Sequence, residues 1–190
     1  MRIGDDLDLL PGAGALPVRV RWVTLVGNTA AVAADGERLY VASSVLTAFA
    51  LADGSVLWEA RHPEGYALHD SGAVVLGLEG PQVVCAFAPW EYELRVERAT
   101  GRRIGYRELP GGVPPADLVA LPRPPPTRFR IETGLRETVA FWPDGRVAWR
   151  LVAEGAFIDA LPPIDADGAI VCATSTCHVV VLDPLDPSYR

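Results

Sequence analysis

An all-β chain folded as a propeller of about four blades is predicted by three observations on this sequence. One phrase, an aliphatic residue followed two positions later by a large aromatic, occurs in Val20-Arg21-Trp22-Val23, Val56-Leu57-Trp58-Glu59, Ile104-Gly105-Tyr106-Arg107 and Val147-Ala148-Trp149-Arg150. Turn glycines keep a long period. Gly36, Gly80 and Gly168 fall on a 44-residue grid whose vacant slot is Pro124, while Gly54, Gly101 and Gly145 follow at steps of 47 and 44. A period of roughly 40–45 residues holding four short strands is that of a propeller blade. The first copy of the phrase stands near the start of the chain with no blade before it, so it is expected to complete the last one.

Residues 17–26 supply that completing strand, with Trp22 in the place that Trp58 and Trp149 take in their blades. Such closure joins the first and last blades and removes the exposed seam that an open sheet edge would leave. The blade over 28–62 holds the short runs Arg38 to Val41 and Val45 to Leu51 between Asp35-Gly36 and Asp53-Gly54. Asp-Gly suits tight hairpins because glycine takes positive φ at no steric cost. In the blade over 70–110 the stretch 80–91 carries extra residues, read as a lengthened loop between second and third strands that includes Pro89-Trp90-Glu91-Tyr92. The blade over 116–152 holds Val139 to Trp142 and Asp144-Gly145. The blade over 156–183 stops at Val181-Leu182-Asp183-Pro184, before a fourth strand of its own. The proline runs Pro110–Pro115 and Pro122–Pro126 read as loops, since proline removes a ladder donor. The whole, 1–190, is one domain. Four blades close alone, or two chains join as a four-plus-four ring; one strand per chain in the right place favours self-closure.

Composition bounds the rest. Hydrophobic residues make up 49% and charged residues 22%, which excludes disorder. No apolar run approaches the roughly 20 residues of a spanning helix, and the acidic start Met1-Arg2-Ile3-Gly4-Asp5-Asp6 lacks the basic and apolar regions of a secretion signal. Three cysteines then fit free thiols in a reducing cytoplasm. All 17 basic residues are arginine, and the net charge of −7 is unevenly spread. From Arg95 to Arg136 nine arginines face four acids, while the remainder carries eight arginines against 20 acids. An acidic protein is repelled by nucleic acid and anionic membrane, so neither is an expected partner. A dipolar surface can still steer an acidic protein.

The passage from Ala34-Asp35-Gly36 through Leu39-Tyr40-Val41-Ala42-Ser43 to Asp53-Gly54-Ser55-Val56-Leu57-Trp58 resembles the PQQ-like repeat of quinoprotein-type β-propellers. Asp165-Ala166-Asp167-Gly168-Ala169-Ile170-Val171-Cys172 with Val180-Val181-Leu182-Asp183 keeps the same layout, as does Asp144-Gly145-Arg146-Val147-Ala148-Trp149. The second copy is the weakest, with Tyr106 for Trp and one more residue after Gly101. The resemblance implies a blade-closing Trp that packs rather than catalyses. Quinoprotein dehydrogenases of this kind use more blades, a bound quinone and a calcium-binding acidic cluster. Their metal ligands have no counterpart here, so no cofactor is expected.

Reactive residue types are present without a catalytic arrangement. Cys172 and Cys177-His178 resemble a stretched haem-attachment motif but stand in strand positions, and a zinc site would need more than Cys85 as a third ligand. His69-Asp70-Ser71 is consecutive, which a triad cannot be; the segment, like His62, reads as a connector. Asp159, Asp165 and Asp167 lack the register of a calcium loop. The inner strands Thr29 to Ala33, Val74 to Leu78, Leu118 to Leu121 and Phe157 to Leu161 are apolar, as in a packed core rather than a catalytic channel.

These readings predict a non-enzymatic scaffold that binds another protein, as part of a larger assembly, with homodimerisation as a further possibility. The expected interface is Trp90, Tyr92, Arg95, Arg98, Arg102, Arg103 and Arg107, the aromatics supplying buried area and the arginines orientation. The competing expectation is a small-molecule or cofactor site with hydrolase or redox activity at the ring's mouth, drawing on Asp159, His69 and His178. Trp142 is expected in the core.

Overall fold

Short β-branched and aromatic runs, cut by turns every few residues, give a chain whose regular elements among the described residues are all strands. The computed structural model describes residues 1–4, 6–27, 29–61, 74–87, 92–108, 129–134, 136–153, 164–166, 168–173 and 178–185. For Phe87, Tyr92, Arg107, Glu108 and Asp165 it describes the backbone alone.

Two strands come first, β1 (Leu7–Pro11) and β2 (Val18–Leu25). Sheet I follows from β3 (Ala31–Ala34), β4 (Arg38–Ala42), β5 (Leu46–Ala50) and β6 (Val56–Ala60), antiparallel and in chain order. Sheet II is β7 (Val74–Glu79), β8 (Gln82–Phe87), β9 (Tyr92–Glu97) and β10 (Arg103–Glu108), again in order. Sheet III takes β11 (Arg130–Thr133), β12 (Glu137–Phe141) and β13 (Val147–Ala153), and β1 adds beside β13. Sheet IV takes β14 (Ile164–Ala166), β15 (Ala169–Ala173) and β16 (His178–Pro184), and β2 adds beside β16. Sheets I and II make one compact unit, Gly27–Arg123; sheets III and IV make another from Met1–Val26 and Pro124–Arg190.

The expectation placed on residues 17–26 is met at the level of register: Val181 pairs with Trp22, and the ladder runs from His178↔Leu25 to Pro184↔Val18. The other N-terminal strand was not anticipated. β1 pairs antiparallel with β13, from Leu7↔Ala153 to Pro11↔Trp149. Gly12 continues this close approach, its N–H donating to the Ala148 carbonyl at 2.9 Å. A side chain there would overlap the Val147 carbonyl.

The repeated phrase has one structural meaning in all four sheets. Between β5 and β6 the pairing steps from Ala48↔Trp58 to Phe49↔Val56, leaving Leu57 as an extra residue. Ala148 is extra between β12 and β13, Arg21 between β16 and β2, and Ile104 between β9 and β10. Each is a β-bulge, which adds a residue on one strand and increases local twist. The extra residue after Gly101 puts the bulge of sheet II two positions before its aromatic instead of one. By this register β13 corresponds to β6, β10 and β2, and β1 is an added strand beyond it. The preceding strand positions of that repeat, including Leu118 to Leu121, lie outside the described residues, as do Phe157 to Leu161. The strand that enters the Gly168 turn is β14.

The lengthened loop expected over 80–91 is a correction in detail. Residues 80–81 form the turn between β7 and β8, and only 88–91 separate β8 from β9. The extra length is absorbed by strands of six residues each, where those of sheet I have four or five.

Alternation along the strands divides core from surface. In the first unit Tyr40, Leu46, Ala48 and Trp58 of sheet I pack with Leu76, Val83, Cys85, Leu94 and Val96 of sheet II. In the second, Leu7, Leu9, Trp149 and Leu151 of sheet III pack with Ile170, Cys172, Val180 and Leu182 of sheet IV. Burying each such Leu, Val or Ile contributes about 1.5–3 kcal/mol. Strands β15 and β16 are buried on both faces, as is most of β4 and β5.

Candidate protein-interaction surfaces

Period-two alternation on β9 sends Leu94 and Val96 into the core, so Glu93, Arg95 and Glu97 share the opposite face. Glu93 is fully buried, and a buried carboxylate is tolerable only when paired. Arg95 provides the pairing: its Nε contacts Glu93, and its Nη1 reaches Glu79 Oε2 at 2.5 Å and Gln82 Oε1 at 3.2 Å. The hydrogen bond to Glu93, helped by Glu79 against the cost of burial, holds the guanidinium above its ordinary pKa.

Arg98 is likewise committed inside its unit. It pairs with Asp35, donates to the Gly80 carbonyl at 2.8 Å, and its own carbonyl accepts from Trp58 Nε1 at 2.9 Å. Asp35 also accepts from the Glu37 and Arg38 N–H groups at 2.9 and 2.8 Å and from the Tyr40 hydroxyl at 2.8 Å. Burial raises the Asp35 pKa, but these donors outweigh it and hold the carboxyl below its usual value. The result ties the first turn of sheet I to the β9–β10 turn of sheet II. Gly101 completes the fit: it has φ +70°, and a Cβ there would come within 2.6 Å of the Trp58 ring.

The outward-facing members of the predicted interface are Arg102 and Arg103. Arg102 leaves 68% of its side chain exposed and reaches Glu97 only at 3.5 Å. Arg103 opens β10 exposed, and the bulged Ile104 beside it is 45% exposed. Arg107 lies in β10 opposite Glu93. Tyr92 begins β9 opposite Phe87 and Glu108. Trp90 lies outside the described residues.

No family model matches the chain, and no curated protein matches it. Among solved structures it is similar to the crystal structure of BamB from Moraxella catarrhalis, at 13% identity and a TM-score of 0.33. The match covers 82% of this chain and 44% of that one, so the chain spans less than half the length of that structure.

A second polar arrangement, absent from the sequence reading, sits on sheet IV. The bulge at Arg21 turns its guanidinium onto Asp183 of the neighbouring strand, with Nε at 2.9 Å and Nη2 at 2.5 Å from Oδ1. Arg19 Nε donates to Oδ2 at 3.3 Å. Burial raises the Asp183 pKa, and the two arginines, Arg21 foremost, more than reverse it. A cleft of about 230 Å³ is lined by Arg19, Arg21, Asp183, Pro184 and Leu185. The signal was present in the phrase itself: Arg21 is the only charged residue at any of the four bulges.

The remaining reactive groups take packing positions. Burial pushes the thiols of Cys85 and Cys172 up, that of Cys172 to about 12, so neither is a nucleophile near neutrality. His178 opens β16 buried, its Nε2 3.5 Å from Asp6 Oδ1. Cys177, His62, His69, Asp70, Ser71, Asp159 and Asp167 lie outside the described residues, and the side chain of Asp165 is not described. Among the described residues no three His, Cys, Asp or Glu side chains gather as a metal site would require. Trp142 is partly buried against the second unit's core, its ring 5.1 Å from Phe129.

Proposed function

We propose that the chain is a non-enzymatic scaffold of the β-propeller type, built on PQQ-like repeats, that binds another protein through the outer edge of sheet II. Four sheets sharing one bulged aromatic strand support the repeat reading. What supports the interaction reading is the exposed run Arg102-Arg103-Ile104: two cations beside an uncovered apolar side chain at the margin of a sheet. Arginine with an apolar anchor is a common composition for interface centres. Arg95 and Arg98, with their internal pairings, hold this edge in place rather than contact the partner. An acidic partner surface suits the two exposed guanidiniums, and a reducing cytoplasm suits the buried thiols.

The test is Arg102→Glu with Arg103→Glu. Each charge-assisted pair lost from an interface is worth about 1.5–3 kcal/mol, so the double variant is expected to lose a co-purifying partner while unfolding at the wild-type temperature. An unchanged pull-down would remove β10 as the interface. A partner lost together with the fold points to stability instead, and the reading then fails.

A further inference from the structure

The turn between β9 and β10 leads into the exposed run Arg102-Arg103-Ile104, and its own hydrogen bonds fix its shape. Glu97 N–H donates to the Arg102 carbonyl at 2.9 Å and Gly101 N–H to the Glu97 carbonyl at 2.8 Å. Arg102 N–H donates to Thr100 Oγ1 at 3.2 Å. How the turn is directed from the rest of the unit is set at Arg98. Its N–H donates to the Pro81 carbonyl and its Nη1 to the Gly80 carbonyl, both at 2.8 Å in the β7–β8 turn of sheet II. Its other two anchors belong to sheet I: Asp35 pairs with Nη2, and Trp58 Nε1 donates to the Arg98 carbonyl at 2.9 Å.

The bond from Trp58 is not something the repeated aromatic requires. Trp149 holds the same register in sheet III, opposite Ala140 as Trp58 is opposite Ala48. It is completely buried, and its Nε1 has no hydrogen-bond partner, although a buried indole N–H usually finds one. Tyr106, the counterpart in sheet II, has no indole at all. The repeat therefore demands the packed ring, and the hydrogen bond is particular to the turn that leads to the arginine pair. Asp35 likewise divides its oxygens. Oδ1 accepts the Glu37 and Arg38 N–H groups of its own turn, while Oδ2 faces the Tyr40 hydroxyl and Arg98.

We propose that Trp58 and Asp35 are positioning residues for the β10 interface: side chains of sheet I that touch no partner and set how sheet II presents Arg102, Arg103 and Ile104. This rests on the reading of β10 given above and extends it to the neighbouring sheet. Ordering a turn at the moment of binding subtracts from affinity, and a turn already held avoids that cost.

Fluorescein-labelled poly-L-glutamate serves as the acidic probe, titrated against the full chain by anisotropy, beside hydrogen exchange at residues 99–104. Trp58→Phe keeps a ring and removes the donor. Asp35→Asn keeps an acceptor for the turn N–H groups and removes the charge. Each is expected to weaken probe binding about three- to tenfold, as one lost hydrogen bond would, and to speed exchange at 99–104 by a similar factor. Trp149→Phe is the matched control: it makes the same change of ring in sheet III with no hydrogen bond to lose, so both readouts should stay at wild type. Unchanged exchange at 99–104 in Trp58→Phe and Asp35→Asn, or unchanged probe binding while exchange quickens, overturns the proposal and leaves the β10 reading standing. Equal loss in Trp149→Phe also overturns it, since general loosening of the packing would then be the cause. A wild-type chain that ignores the probe, or binding that survives Arg102→Glu with Arg103→Glu, removes the β10 reading itself and the positioning roles with it.

Discussion

The two compact units use the same kind of sheet and assemble it by different routes. In Gly27–Arg123 both sheets are laid down strand after strand, each pairing with the one just made. In the other unit each sheet borrows its last strand from the beginning of the chain, β1 for sheet III and β2 for sheet IV. The contact between Arg21 and Asp183 spans 162 residues. Closing a loop of that length costs about 2–3 kcal/mol more than closing a ten-residue hairpin, by the logarithmic scaling of loop entropy. Each sheet of the first unit is thus built from consecutive strands, while the second unit draws on a distant segment for both of its sheets.

Removing residues 1–26 should break this comparison most strongly. Sheets III and IV lose the buried faces of Leu7, Leu9, Val18 and Trp22 at once, several side chains each worth about 1.5–3 kcal/mol. Hydrogen exchange should then show unprotected amides in β12, β13, β15 and β16 with protection retained in β4, β5, β8 and β9. Equal loss in both units would show that they fold as one.

Gly101→Ala is the converse perturbation, confined to the first unit. It forces a Cβ against the Trp58 ring at a positive φ, a strain of order 1–3 kcal/mol before the ring is displaced. The expected result is a lowered midpoint for probes in sheets I and II alone. Arg98→Ala should act in the same place by about 1.5–3 kcal/mol, since it leaves the partly buried Asp35 without its cation. Denaturant titration that shows no change would mean the ion pair between the sheets adds nothing.

The smallest effect expected is acid sensitivity. Asp35 and Asp183 both have lowered native pKa values, so each stabilises its unit fully above the unfolded value of about 3.9 and loses that contribution as pH falls through the lower native value. Asp183→Asn should flatten this acid limb for the second unit and leave the first unit's intact. Unfolding followed separately in the two units from pH 5 to pH 2 would check it.

The same contrast explains what could be read from the sequence. The pairing of Trp22 with Val181 was legible because the Val-x-Trp phrase marks one strand position in each sheet and the copy at Trp22 shares it. The addition of β1 was not legible. Leu7-Asp8-Leu9-Leu10-Pro11 falls outside the repeat, and long-range pairing leaves no local periodicity to find. The arginines of sheet II looked alike in sequence, yet Arg95 and Arg98 are consumed by Glu93 and Asp35, acids whose burial or distance in the chain gave no cue. Arg102 and Arg103 differ from them only in lying past the turn, where the strand face is open.

The bulge has a consequence for how such a chain can vary. A residue that has no opposite number in the ladder can change its chemistry without disturbing the hydrogen bonds on either side. Leu57, Ile104, Ala148 and Arg21 occupy that slot, one per sheet, and no two are the same. Where the slot is open, as at Leu57 and Ile104, the sheet carries an interchangeable socket on an otherwise fixed frame, whereas Ala148 is buried in the core; grafting arginine into the socket of Leu57 is the simplest way to give a second sheet a charge of its own.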